Sequence, residues 1–536
     1  MSPRIALGLA ILATLSSSAF SAEASPAWVF FRDHGALSRP GPARERALAR
    51  AAARVTPRAL ARRAQRGAAG LDDRDLDPDP AYVAAVAARG GSIRTTSSWL
   101  NAVSVEASAE SLANIASLPF VAQVGPVGIG AENGRAETMA DTLADLQDSG
   151  PSFLQIDMLH VPEVHAMGDH GEGVVLCVLD SGFQLDHQSL RQLEVRGQRD
   201  FVNGDGDTAY DPRTDLPSQP SHGTAVLSVL AGYLPGTLIG PAYRSEFLLG
   251  KTERVDSELP VEEDYWCAGV EWAEAEGADI LTSSLTYHLW YRWRDLDGRT
   301  SPSTRAANLA LERGLLIVNA IGNEGPREGS IGAPADAPGA ITVGAVNGIG
   351  NLATFSSVGP TYDRRVKPDV VAPGVAVWAA QARTWDGYGR WSGTSFAAPL
   401  VAGCAALVLS RHPEWGPEAV RDAITMSASR ADRPDNEYGW GIVNARDAVL
   451  YPLIEGTVTD SITREPVGGA TVRWTSVEGH GFVETDSTGA YVIPNLPRES
   501  YTITVSGAGY DDATAGPYDV PPQLGDIDVR LRYGGK

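Results

Sequence analysis

Between residues 151 and 450 short apolar runs alternate with longer stretches of helical pattern, and few folds accept that alternation. Val174 to Leu179 is apolar throughout, as a strand buried on both faces must be. Comparable runs are Phe247 to Leu249, Ile280 to Leu281, Leu315 to Val318 and Ile341 to Val346. Helical patterns fall between them, at about 222–232, 262–276, 303–313 and 395–410. Strand-helix alternation predicts an α/β fold with a parallel sheet covered by helices on both faces. Such sheets open their sites at the carboxyl ends of strands. Asp180 directly follows the Val174 run, in that position.

The flanks read differently. At 536 residues the chain is too long for one domain, and its hydrophobic content of 43% supports real cores. Arg4, the apolar run Ile5 to Leu15 and small residues up to Ala24 read as a signal peptide, residues 1–24. That run is too short to span a bilayer, and no later stretch reads as a span, so the expectation is a secreted, extracellular protein without a membrane partner. Residues 25–140 form a segment apart. Trp28 to Phe31 is a short strand, and residues 43–66 carry eight Arg among alanines, a helix with a basic, solvated face. A helix at Ala81 to Ala88, strands at Ser92 to Thr96 and Trp99 to Val105, a Ser108-capped helix to Leu118 and a strand from Phe120 to Val127 complete a β-α-β-β-α-β order. A polar stretch, Gly128 to Gly150, reads as a linker. The middle unit spans 150–450. After Pro452 short alternating strands near 454–459, 470–475, 481–485, 490–493, 501–505 and 527–532 predict a small all-β sandwich, 453–536.

Charge and cysteine usage exclude several classes. The net charge is −22, and residues 23–150 are nearly balanced, with 14 Arg against 15 Asp plus Glu. The acidic excess therefore lies downstream and argues against a nucleic-acid partner. Cys177, Cys267 and Cys404 each fall in an apolar pattern without metal-ligand spacing, which predicts buried free thiols and no metal centre.

Three motifs carry chemistry: Leu179-Asp180-Ser181-Gly182, His222-Gly223-Thr224 and Gly393-Thr394-Ser395-Phe396-Ala397-Ala398-Pro399. A serine nucleophile needs a base, and the base needs a carboxylate to hold it. Ser395 opens an apolar helix pattern, where its hydroxyl meets positive backbone partial charge; a plain helix cap is the other reading. Asn323, in Ala320-Ile321-Gly322-Asn323-Glu324-Gly325, follows a strand and offers an amide donor to a developing oxyanion; a turn Asn before Gly is its alternative. Asp186 is the rival carboxylate, six residues past Asp180 and in a loop.

In their order these motifs resemble the subtilisin-like serine proteases over about residues 155–450. Lys367-Pro368-Asp369-Val370-Val371-Ala372-Pro373-Gly374 and His187 add to the likeness. The resemblance implies a subtilisin-like fold and a serine endopeptidase. In it Asp180 orients the imidazole, His222 acts as base and then acid, Ser395 attacks, and Asn323 with the Ser395 N–H binds the oxyanion. It places polypeptide substrates along Ser284, Leu285 and Thr286, with Ala320, Ile321 and Gly322 as the facing wall and Gly332 at the pocket base. That pocket favours apolar side chains, while Thr286, where many relatives have Gly, narrows it. The chemistry requires no cofactor. The calcium site common in the family lacks its loop after Gly232 and reads His187-Gln188-Ser189 at its other side. Asn203, Asp205 and Asp207 read as a solvated acidic loop, with a structural calcium as the alternative.

Residues 26–127 resemble the inhibitory pro-segments of that family, with a ferredoxin-like α+β order, so the protein's own pro-segment is an expected partner. Residues 453–533 resemble carboxypeptidase-regulatory-like, or transthyretin-like, sandwiches through Gly456-Thr457-Val458, Gly469-Ala470, Thr485-Asp486 and Gly509-Tyr510. The leading expectation is an autoprocessed, broadly specific, monomeric zymogen. A substrate-restricted processing protease and a non-catalytic scaffold of the same fold are the alternatives.

Overall fold

The computed structural model describes residues 24–534 except 69, 127–148, 257–258, 478, 495, 498 and 521–526. The predicted signal peptide, all but Ala24, and most of the predicted linker therefore lie outside the described residues.

The first unit is a four-stranded antiparallel sheet. Its elements are β1 (Ser25–Phe31), α1 (Pro42–Arg54), α2 (Pro57–Gln65), α3 (Pro80–Ala88), β2 (Ser92–Ser97), β3 (Ala102–Ala107), α4 (Ala109–Ala116) and β4 (Val121–Pro126). The order β2-β3-β1-β4 is that of a split β-α-β unit. Ser108 caps α4 as the sequence predicts, accepting the Ser111 N–H. Two expectations need correction. The basic stretch 43–66 is two helices, because Pro57 forces Thr56 out of the helical region, and Thr56 then caps α2 through the Ala59 N–H. The strand expected from Trp99 begins at Ala102, since the hairpin turn takes Asn101 to a φ of +46°.

The second unit holds α5 (Phe153–Asp157), α6 (Val161–Ala166), β5 (Val175–Asp180), β6 (Glu194–Asp200), α7 (Ser221–Ala231), β7 (Tyr233–Leu234), β8 (Leu238–Ile239), β9 (Glu246–Lys251), α8 (Val261–Glu276), β10 (Ile280–Ser283), α9 (Pro302–Glu312), β11 (Leu316–Ala320), β12 (Ile341–Val346), β13 (Val370–Pro373), β14 (Val377–Ala380), β15 (Tyr388–Trp391), α10 (Thr394–Arg411), α11 (Pro417–Met426) and α12 (Ala445–Val449). Seven strands form a wholly parallel sheet in the order β13-β12-β11-β10-β5-β9-β6. Its two faces are buried separately. Leu176 and Val178 of β5 pack toward α7 and α10, whereas Val175, Cys177 and Leu179 pack toward α8 and α9. Polar β6, an edge strand, escaped the apolar pattern. Helix α10 is long and apolar enough to cross a membrane, contrary to the sequence expectation, but 89% of that window is buried inside this body. It is the central core helix. All three cysteines are buried and unpaired.

The sheet of the first unit lies on α8 and α9. Trp28, Phe30 and Leu100 pack against Leu309, Trp99 enters the core between sheet and helices, and Arg305 sits 4.2 Å over the Phe30 ring.

The tail comprises β16 (Ile454–Asp460), β17 (Thr471–Thr475), β18 (His480–Glu484), β19 (Ala490–Ile493), β20 (Ser500–Ser506), β21 (Tyr510–Asp511), β22 (Ala513–Asp519) and β23 (Val529–Tyr533). They form two four-stranded sheets, β19-β16-β23-β21 and β18-β17-β20-β22, around one core. Strand β22 was not legible, because Gly516-Pro517 breaks its pattern at a sheet edge.

Candidate active site

The carboxyl edge of the sheet gathers the three motifs. Asp180 is the last residue of β5 and is fully buried. Its Oδ1 accepts from the Ser181 N–H at 2.7 Å and the Ser181 hydroxyl at 3.1 Å. His222, second in α7, places Nδ1 2.8 Å from Asp180 Oδ1 and 3.1 Å from Oδ2. That approach requires glycine at 223: a Cβ there would lie 2.4 Å from the Gly182 carbonyl and 3.0 Å from Asp180 Oδ1. Burial pushes the imidazole toward its neutral form, but the charge and hydrogen bond of Asp180 more than offset this and hold its pKa above the ordinary histidine value. Asp186 is exposed and makes no contact with His222 among the described hydrogen bonds.

Ser395 is second in α10 and mostly buried. Pro399, four residues on, has no N–H for the Ser395 carbonyl. The Ser284 hydroxyl supplies the missing donor at 2.8 Å and ties the helix head to the end of β10. The Ser395 hydroxyl lies 3.5 Å from the Ser284 carbonyl, and no described hydrogen bond joins it to His222. The neighbouring Phe396 ring stands 5.9 Å from the His222 ring. Catalytic contacts are often long without substrate and close when it binds.

Asn323 is exposed just past β11. Its Oδ1 accepts from the Thr394 N–H at 2.9 Å and the Thr394 hydroxyl at 3.0 Å. With the oxygen taken, the Nδ2 donor is the free end, beside Gly393 at the start of α10. Thr394 thus holds Asn323, a contact that residue-type reasoning passed over although it lies within the serine motif.

The predicted substrate-lining residues also converge. Ser284 and Thr286 are partly exposed at the end of β10, and Leu285 is buried. Ala320, Ile321, Gly322 and Gly332 are buried opposite. A Cβ at Gly332 would meet Thr286 Cβ at 2.9 Å, and one at Gly322 would meet Thr286 Oγ1 at 3.5 Å. The Thr286 side chain therefore stands between the two walls. His288 Nε2 and Glu324 Oε1, 3.4 Å apart, flank the same gap and were not singled out in the sequence.

The carboxylates of the acidic loop serve its turns. Asn203 turns its amide donor onto Asp200, and Asp205 and Asp207 are exposed and accept turn N–H groups. The cation facing Asp200 is Lys251, fully buried, 2.9 Å from Asp200 and 2.7 Å from Asp215. Among the described residues no group of three metal-type ligands converges.

Comparison with known proteins gives the family of each unit. Residues 171–441 match the subtilase family, 26–138 match a peptidase S8 propeptide domain of Bacteroidota, and 453–532 match a carboxypeptidase regulatory-like domain. Subtilisin of Bacillus pumilus is 33% identical over 297 residues, covering 55% of this chain and 97% of that protein. Subtilisin Savinase of Lederbergia lenta is 33% identical over 299 residues, covering 55% and 97%. Among solved structures, fervidolysin from Fervidobacterium pennivorans, described as a keratinolytic enzyme related to subtilisin, aligns over 95% of this chain and 78% of that one. Its TM-score is 0.57 at 19% identity, a likeness of fold.

Proposed function

As the chain belongs to the subtilase family of serine endopeptidases and carries a propeptide domain, we propose that Asp180, His222 and Ser395 are its catalytic triad and Asn323 its oxyanion donor. The observation that carries this reading is the meeting of three distant motifs at one sheet edge, with His222 on Asp180 and beside the helix that presents Ser395. Ser395 attacks the scissile carbonyl while His222 Nε2 takes its proton. The Asn323 amide and the Ser395 N–H receive the oxyanion. His222 then protonates the leaving amine, and water reverses the sequence on the acyl-enzyme. The family's chemistry needs no cofactor. We further propose export through residues 1–24 and self-cleavage between the first unit and the protease body.

Asn323→Ala tests the oxyanion assignment. Loss of the donor is expected to lower kcat by about 10²–10³ with little change in KM, because the bond forms mainly in the transition state. Steady-state kinetics on a chromogenic peptide read the split; a change confined to KM would make Asn323 a substrate-binding group.

The substrate preference we propose is for small apolar side chains before the cut, since Thr286 fills space between Gly322 and Gly332. Thr286→Gly is expected to raise kcat/KM for a phenylalanine substrate over its alanine counterpart by about 10-fold or more, the scale of one or two methylenes in a pocket. An unchanged ratio would remove Thr286 from the specificity determinants.

A further inference from the structure

The arginine stretch, read from sequence as a solvated helix face, is so only in part: Arg46, Arg50 and Arg54 of α1 are exposed, whereas the arginines of α2 and Arg66 just past it turn toward the protease body. Arg62 and Arg63 are among the most enclosed charged residues of the first unit. Arg63 makes a two-pronged pair with Glu274 of α8, Nε to Oε1 at 2.8 Å and Nη2 to Oε2 at 2.6 Å. Arg62 also pairs with Glu274, and Arg58 and Arg66 take the two oxygens of Asp279 at 2.5 and 3.0 Å. In return Arg313 of the body reaches Asp72 and Asp75 at 3.3 and 3.2 Å.

The backbone contacts explain why arginine is used. A helix ends on carbonyls without intrahelical partners, and its carboxyl end attracts cations. Here donors from the first unit fill that need. The Thr56 N–H donates to the Ala275 carbonyl at 2.8 Å. Arg58 Nε donates to the Gly277 carbonyl at 3.1 Å, and Arg62 donates to that of Ala278. Past the end of α9, Arg66 Nη1 donates to the Gly314 carbonyl at 2.5 Å. One guanidinium bonds a carboxylate and a carbonyl at once, which an ammonium matches less well. Burial lowers the Arg62 pKa to about 10 even beside Glu274, so the dry fit depends on these partners.

We propose that the carboxyl ends of α8 and α9 form a guanidinium-recognising docking site, and that α2 is the anchor which holds the pro-segment to the enzyme independently of the cleft. The site lies at the opposite edge of the sheet from the catalytic residues: Asp279 immediately precedes β10 and Ser284 follows it, a span of roughly 16 Å. Cutting the chain near the cleft therefore leaves the anchor in place, and escape of the pro-segment requires its arginines to leave Glu274 and Asp279. The proposal rests on reading the first unit as a removable pro-segment.

Hydrogen-deuterium exchange on full-length chains tests it. All carry Ser395→Ala so that no chain self-cuts and no result depends on proteolysis. The parent is compared with Arg58→Gln/Arg66→Gln, which keeps donors but removes charge, and with Glu274→Gln on the body side, because the described hydrogen bonds of the Glu274 carboxylate go to Arg62 and Arg63 alone, whereas Asp279 also accepts the Val175 N–H of β5. The expected result is exchange at least about tenfold faster in β1 and β3 of the pro-segment in both variants, with β5 and β10 of the body unchanged. Unchanged protection of β1 and β3 overturns the proposal, because the sheet contact alone would then hold the segment. Equal acceleration of β5 and β10 also overturns it, because the arginines would then belong to the body's own fold.

Discussion

Ser395→Ala is expected to lower kcat by about 10⁶ on a peptide substrate while leaving the fold and its melting temperature nearly unchanged. The side chain is small, and its hydroxyl has one long contact, 3.5 Å to the Ser284 carbonyl. Little stability is lost with it. The structural tie at this helix head is the other one, from the Ser284 hydroxyl to the Ser395 backbone, and the substitution keeps that bond. The residual rate would come from the oxyanion donors and from substrate binding. The same protein should accumulate at the mass of the uncut precursor after signal removal. Intact-mass spectrometry of wild type and mutant reads this. An equally shortened mass in both would assign maturation to another protease, and substantial hydrolysis by the purified mutant would remove Ser395 from the mechanism.

The fold of the protease body was largely legible because a parallel sheet must bury both faces of each strand. Val175–Asp180 and Ile341–Val346 are buried at every position, and each stood out as a run apolar at nearly every position. What escaped were elements whose stability comes from position. Strand β6, EVRGQRD, pairs only with β9 at a sheet edge and carries no apolar periodicity. The hairpin β14–β15 leads into the serine motif through Ser392, yet its residues are only partly apolar.

The candidate site divides along similar lines. Asp180, His222, Ser395 and Asn323 were named from sequence because nucleophilic catalysis restricts residue types and the motifs set small residues beside them. Gly223 illustrates the restriction, since any side chain there would displace the Asp180 carboxylate. Thr394, Ser181 and Ser284 orient those groups through hydrogen bonds from hydroxyls, and a hydroxyl residue has many other uses. The arginine stretch was legible as a charge run, and its second half, α2, was misread as to its surroundings. Composition records that Arg62 and Arg63 are charged, but not that Glu274 waits 212 and 211 residues away to bury them.

Asp180→Asn is expected to cost about 10⁴ in kcat at neutral pH with the structure preserved. The amide keeps the shape of the carboxylate, and Ser181 still has an oxygen to bond. What changes is the imidazole. Asn presents either a neutral oxygen or an N–H donor to Nδ1, so it neither fixes the reactive tautomer as firmly nor stabilises the imidazolium formed during attack. The pH profile separates this from a loss of structure. In wild type His222 titrates above the ordinary histidine value, through Asp180 and against burial. Catalysis needs the neutral ring, so kcat/KM should be lost as pH falls through a midpoint above about 6.5. Without the carboxylate the burial effect acts alone and favours the neutral ring, and the acidic limb of the mutant should move below that value. The mutant thus keeps its residual activity to lower pH than wild type keeps its own. An acidic limb that stays in place would mean that Asp180 does not set the His222 charge, and would return the carboxylate role to another residue.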